Sequence, residues 1–217
     1  MKSYPVQFFL MIMFLFSFNA IAQEVDNGTY KVTFRSKGQK IALLSGDVTK
    51  LTAIKSFNAV LDKTKFTIGI KGDPDSVYIK KKVSELNAKK EGKGDEWKKK
   101  WEITTSTFLP AFIEGYNDYI EKSGIPKIVT NENETVQPEF TMVLRLCYLY
   151  TDFDTPKLGT YLDIYSKDNK IEPIVSMLLN IIYYNNSKKY SGANAGTFFT
   201  AGRVLGKYFK SDIFQGK

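Results

Sequence analysis

The side chains able to do chemistry in this 217-residue chain are set by one absence and one near-absence: there is no histidine, and Cys147 is the lone cysteine. Without imidazole, Ser-His and Cys-His nucleophile systems have no base. One thiol and no histidine also cannot close a tetrahedral zinc shell. Acid-base work is left to carboxylates, which in glycoside hydrolysis act as a pair flanking the scissile bond. The available acids are Glu114, Asp118 and Glu121 on one predicted helix, and Asp152, Asp154 and Asp163 near predicted strand ends. Their spacing singles out no pair, and an acidic row opposite an aromatic stripe is the ordinary wet face of a helix. Asp73/Asp75 and Asp152/Asp154 lack the spaced loop with a distal Glu that calcium hands use, and their Asp, Pro and Ser content suits turns. No metal or other cofactor is expected, and the chain reads as a non-enzyme.

Two further motifs have chemistry to offer. Gly92-Lys93-Gly94-Asp95 looks like part of a phosphate loop but lacks the full Gly-x-x-x-x-Gly-Lys-Ser/Thr pattern, so it reads as a helix stop followed by a cap. Aromatic side chains are the other resource. Trp97 and Trp101 lie one helical turn apart, and Tyr148, Tyr150, Tyr161 and Tyr165 fall in two predicted strands. These six residues are the candidate partner or ligand surface, because exposed aromatic faces bind apolar surfaces; at helical spacing the tryptophans equally suit a core.

The elements that position these residues follow from periodicity. Tyr30, Val32 and Phe34 alternate with polar neighbours and predict a first strand, and Lys65 to Lys71 predicts a second. Val48 to Val60 is ambiguous between helix and strand. Helices are expected over Val77 to Lys90, from an Asp95 cap through Trp97 and Trp101, and from a Thr107 cap through the stripe Phe108, Phe112, Tyr116, Ile120, stopped by Ser123-Gly124. Phe140 to Tyr150 and Gly159 to Tyr165 are β-prone, with Arg145 the one charge in the first run, expected at an exposed or paired position. Ile171 to Tyr184 suits a buried strand or a helix. A closing helix from Ala195 to Lys210 puts Phe198, Gly202, Leu205 and Phe209 on one face, with Gly202 and Gly206 placed to let it lie close on a sheet. The order implies an α+β fold: a mainly antiparallel sheet with helices packed on one face, a two-layer α/β sandwich.

At the amino terminus, Lys2, the apolar run Phe8 to Phe16 and the Ala20-Ile21-Ala22 site predict a secretory signal peptide over residues 1–22. About 20 apolar residues are needed to span a bilayer and this run is half that, so no transmembrane segment is expected in the mature chain. Residues 23–217 then form a single α+β domain, periplasmic or secreted. The net charge of +8 is carried mainly by lysine interleaved with acids, which suits a soluble surface and argues against a nucleic-acid partner.

From Asn58 to Lys210, the run Glu91 to Trp97 (EGKGDEW), Trp101, Pro110 to Asn117 (PAFIEGYN) and Ala201 to Lys207 (AGRVLGK) resemble a family of small secreted α/β proteins of Gram-negative, Bacteroidetes-type bacteria that has no assigned activity. The resemblance implies export and an α/β architecture, and it transfers no catalytic residue. Together these readings predict a non-catalytic cell-envelope protein that binds an envelope protein or a glycan. A secreted carboxylate-dependent glycan hydrolase and a small apolar-ligand carrier are the alternatives.

Overall fold

The computed structural model describes residues 32–130, 138–151, 155–183 and 193–215. The predicted signal peptide, Tyr30, Asp152, Asp154 and Tyr184 lie outside the described residues. Strands β1 (Val32–Ser36) and β2 (Gln39–Gly46) form a hairpin. The ambiguous stretch that follows divides in two: a 3-10 turn over Val48–Ala53, started by the Asp47 carboxylate accepting from the Thr49 amide at 2.9 Å, and strand β3 (Ser56–Asp62).

The strand predicted over Lys65 to Lys71 is corrected by the structure. Only β4 (Thr67–Ile68) is extended, because Gly69 and Gly72 adopt φ of 74° and 63° and turn the chain into β5 (Asp73–Pro74). Phe66 and Ile68 are buried, whereas Ile70, the third member of the apparent alternation, is exposed.

Helices α1 (Asp75–Lys89), α2 (Lys93–Ser106) and α3 (Phe108–Ile120) follow where periodicity placed them. Their starts differ from expectation. Asp95 sits inside the first turn of α2, and the orphan Gly94 amide is satisfied by Asn87 Oδ1 of α1 at 2.6 Å. Thr107 precedes α3 but has helical backbone angles and donates its hydroxyl to the Thr104 carbonyl, so α2 and α3 abut without a side-chain cap.

Strand β6 (Lys127–Ile128) leads to the long strands β7 (Phe140–Tyr150), β8 (Lys157–Ser166) and β9 (Val175–Ile182). The segment left open at Ile171 to Tyr184 is thus a strand preceded by a turn, with Ile171 fully out in solvent. Helix α4 (Ala193–Tyr208) runs into one π-helical turn, Phe209–Ile213.

Among the described residues, nine strands join one sheet of order β1-β2-β9-β8-β7-β3-β6, with β4 beside β7 and β5 beside β4. Pairings from β1 through β7 along this order are antiparallel, as is β4 with β5; β3 is parallel to both β7 and β6, and β4 is parallel to β7. The fold is therefore α+β on a mixed sheet curled into a half-barrel.

Alternation along the long strands sorts their side chains onto two faces. Met142, Leu144 and Leu146 of β7, Leu158, Leu162 and Ile164 of β8, and Val175, Met177, Leu179 and Ile181 of β9 are buried in one continuous core with Phe108, Phe112, Tyr116 and Ile120 of α3 and Phe198, Leu205 and Phe209. Gly202 and Gly206 do let the last helix lie close, but against α3 rather than against the sheet: a Cβ on Gly202 would strike the Phe112 carbonyl, and one on Gly115 would strike the carbonyl of Phe199.

Candidate functional site

The second face of the sheet carries the tyrosines. Register places Arg145 of β7 beside Tyr161 of β8, Tyr161 beside Leu178 of β9, Val143 beside Asp163, Asp163 beside Ser176, and Thr141 beside Tyr165. A bulge between Leu146 and Tyr148 shifts the β7 alternation by one residue, which brings Tyr148 opposite Gly159 and Tyr150 opposite Lys157 on this same face. Four of the six aromatic candidates, Tyr148, Tyr150, Tyr161 and Tyr165, are thereby gathered on one surface, all half-buried.

Three of the four rings have a support. Tyr148 lies over Gly159, where any Cβ would collide with its ring, and its hydroxyl donates to Asn180 Oδ1. Tyr150 stacks on Tyr148 with centroids 4.6 Å apart and planes 21° from parallel. The Arg145 guanidinium sits 5.3 Å above the Tyr161 ring, a cation-π contact. Burial raises the phenol pKa of Tyr148 strongly and that of Tyr150 less so; at Tyr165 burial is reinforced by the nearby Asp163 carboxylate. With their pKa values raised, the phenols of Tyr148, Tyr150 and Tyr165 are neutral at physiological pH.

Arg145 is the one cation inside the β7 run, and it is both exposed and paired. Its Nε lies 2.5 Å from Asp163 Oδ2, with the Arg side chain 48% exposed and the Asp side chain fully buried. Ser176 Oγ donates to the other carboxylate oxygen. Burial opposes the guanidinium charge, yet Asp163 outweighs it and the pKa of Arg145 rises above its ordinary value. Asp163 therefore lies in the middle of β8 under the arginine, not at a strand end as its sequence position suggested. A charge pair at this depth needs good geometry and extra hydrogen bonds to offset desolvation, and Ser176 provides one. The thiol of Cys147 is half-buried and its pKa is raised by that burial.

The two tryptophans are elsewhere, on α2. Trp101 is 6% exposed and belongs to the core, edge-on to Phe108. Trp97 is half-buried, stacks on Trp101 at 5.6 Å and meets Tyr78 edge-on at 6.2 Å. The structure does not bring them to the tyrosine face.

Ser176, Asn180 and Gly159 were not among the residues singled out from sequence, and Asp163 was named there only as one of the available acids. The signal available was the alternation Ser176, Leu178, Asn180 within Val175–Ile182, legible only once that segment is taken as a strand. A separate groove of about 920 Å³ runs between β3 and α3, and Glu114 and Glu121 are among its lining residues. Glu114 is on α3 and Glu121, the residue after its end, keeps helical backbone angles, so the two backbone positions are separated by roughly 10 Å along the axis.

Among the described residues, no helix is long and apolar enough to cross a membrane. No family model matches the chain. No curated protein matches it either. Two solved structures of a PelC dodecamer from Paraburkholderia phytofirmans, one of them a single-residue variant, align at 10% identity over 77% of this chain and 95% of theirs, with a TM-score of 0.35, a likeness too low to carry an argument.

Proposed function

We propose that this chain is an exported, non-catalytic protein of the cell envelope, and that it binds an envelope protein or glycan through the tyrosine-bearing face of its sheet. The observation that carries the reading is the grouping of Tyr148, Tyr150, Tyr161 and Tyr165 around Arg145 on the face opposite the buried side chains of the core. Tyrosine and arginine are the side chains that dominate binding hot spots. Rings held by Gly159 and Asn180, and an arginine held by Asp163, lose little conformational freedom when a partner arrives. Export rests on the signal-like first 22 residues, and it makes the mature chain, residues 23–217, a single periplasmic or secreted domain. In this reading the helices form one layer and the sheet the other, leaving the tyrosine face for the partner.

The hydrolase alternative has one observation in its favour, the presence of Glu114 and Glu121 in one groove. Their separation along the helix axis is at or beyond the wide end of the spacing that inverting glycosidases use, so the binding reading is preferred. The carrier alternative asks for a cavity lined by Trp97, Trp101, Phe112 and Tyr116, and these rings instead pack into the core or against it.

The test is capture from the host envelope fraction with residues 23–217 as bait, with crosslinking, run in parallel with the double variant Y161A/Y165A. The expected result is a reproducible protein or glycan partner retained by the parent chain and lost, or reduced at least about tenfold, with the variant. Equal capture by both proteins removes the tyrosine face from the proposal. Turnover of an envelope glycan that the E114Q variant abolishes would replace it with the hydrolase reading.

A further inference from the structure

The tyrosines of the sheet face stand in a line rather than in a round cluster. In the β7-β8 ladder Tyr150 is opposite Lys157, Tyr148 opposite Gly159, Arg145 opposite Tyr161, Val143 opposite Asp163, and Thr141 opposite Tyr165. The line therefore runs along the strands from the level of Lys157 to that of Tyr165, roughly 26 Å at about 3.3 Å per residue. It is no wider than these two strands. The residues that dominate a protein-protein interface gather near its centre, whereas a long, narrow line of rings matches a linear polymer lying along the strands.

The middle of the line is polar. Arg145 has Asp62 as its in-register neighbour on β3, and Asp163 lies beneath it. The guanidinium is held by Asp163 and by the Tyr161 ring, and the Asp62 carboxylate is held by the Thr64 amide and hydroxyl, so both groups are fixed before a ligand arrives. Arginine offers only donors and a carboxylate only acceptors, whereas a sugar hydroxyl is both, so neighbouring hydroxyls of one sugar can engage the two side chains together. Charge points the same way. One cation beside two carboxylates leaves no excess positive charge to attract a polyanion. The rings on either side supply apolar surface, the complement of the C-H faces of a neutral sugar.

We infer that this line is the binding site for a neutral, linear polysaccharide, which packs its sugar rings along Tyr150, Tyr148 and Tyr165 and sets the hydroxyls of a central sugar on Arg145 and Asp62. The inference rests on the tyrosine-face reading and narrows its partner to a glycan. Tyr148 and Tyr150, stacked on each other, form one end of the platform, and Tyr165 forms the other. Apolar contact at both ends and a few placed polar groups between them set the orientation of the chain.

The probes are four neutral hexasaccharides, cellohexaose, mannohexaose, xylohexaose and N-acetylated chitohexaose, with the disaccharide of each. Hexagalacturonate and an acetylated, amidated hexapeptide of alternating serine and threonine are run beside them. Each is titrated into the ¹⁵N-labelled protein. The expected result is saturable binding of at least one neutral hexasaccharide, at least about tenfold tighter than its disaccharide because the longer chain spans the line. Amides near Tyr150 and near Tyr165 shift together. Y150A and Y165A, at opposite ends, each weaken the hexasaccharide at least about fivefold, and Y165F, which restores the ring, recovers most of that loss. Shifts located elsewhere, binding indifferent to both alanine variants, or no binding by any neutral hexasaccharide overturns the assignment. Tighter binding of hexagalacturonate or of the peptide at the same residues also overturns it, while leaving the tyrosine face as a binding surface. Failure of the face itself reads differently: envelope capture by the parent chain and by Y161A/Y165A is then equal.

Discussion

At the scale of single residues, the Arg145-Asp163 pair is the most consequential feature of the tyrosine face. Asp163 is fully buried and depends on Arg145 and Ser176 for compensation. R145A leaves that carboxylate without its counter-charge, with the Ser176 hydroxyl still donating to it; because the arginine is half exposed and water can partly replace it, the expected loss is about 1–3 kcal/mol rather than the larger cost of breaking a fully buried pair. The double variant R145L/D163L recovers most of it, since an apolar pair of similar volume desolvates no charge. Urea unfolding of the three proteins checks this, and equal destabilisation of the single and double variants would sink the charge argument. Asp62, on β3 beside Arg145, gives a pH prediction. The Thr64 hydroxyl and amide both donate to its carboxylate, and with Arg145 and Lys65 nearby they outweigh burial and lower its pKa. A carboxylate whose folded pKa is depressed contributes stability above its unfolded pKa and loses it as pH falls through the folded value. D62N is therefore expected to be less stable than the parent at neutral pH and to converge with it below about pH 4, as read by urea midpoints across pH. A constant difference at all pH values would contradict the linkage.

At the scale of elements, the packing of α3 on α4 shows both what the sequence pattern discloses and where it stops. The stripe Phe108, Phe112, Tyr116, Ile120 and the face Phe198, Leu205, Phe209 were legible because apolar residues at helical spacing have only one way to be buried. The surface that the small residues meet was not, because spacing reports the presence of a flat stripe and not its partner; Gly202 and Gly206 look the same whether a sheet or a helix lies across them. Here the partner is a helix, and backbone meets backbone at Gly115 and Gly202. G115A and G202A are each expected to cost about 1–3 kcal/mol through overpacking, even though alanine is the better helix former by about 1 kcal/mol. At Gly206 the nearest atoms to an added Cβ are Tyr119 Cβ at 3.2 Å, and Ile120 Cγ2 and the Tyr116 carbonyl oxygen at 3.3 Å, farther than the backbone atoms met at Gly115 and Gly202. G206A is therefore expected near neutral, the propensity gain offsetting the small adjustment. Thermal and urea unfolding of the three variants give the ranking, and a G206A cost equal to that of G202A would mean the close approach has been misplaced. The same limit explains the lost strand at Lys65 to Lys71: alternation predicted it, and left-handed angles at Gly69 and Gly72, which alternation does not encode, ended it.

At the scale of the whole molecule, the tyrosine face was only half legible. Its aromatic residues are visible in β7 and β8, but their placement on one face depends on the bulge at Leu146/Tyr148 and on the neighbouring β9, neither of which a single strand's pattern contains. Long-range pairing supplied the rest. It also supplies the core, which runs without interruption from Ile41 of β2 through the long strands and α3 and α4 to Trp101 of α2. A chain whose elements share one core should unfold as one unit, and this bears directly on the proposal that residues 23–217 form one domain. Both tryptophans sit on α2 while most strand signal comes from β7, β8, β9 and β2, so the two probes watch different parts of the structure. On urea titration, tryptophan fluorescence and far-ultraviolet circular dichroism are expected to trace coincident transitions, with Trp97 and Trp101 moving to longer emission wavelength as their stacked pair opens to water. Separated midpoints, with fluorescence changing first, would show that α1 and α2 melt independently of the sheet. The cooperative unit would then be β1 to β9 with α3 and α4, and the single-domain proposal would have to give way to a core with a separately folded helical hairpin.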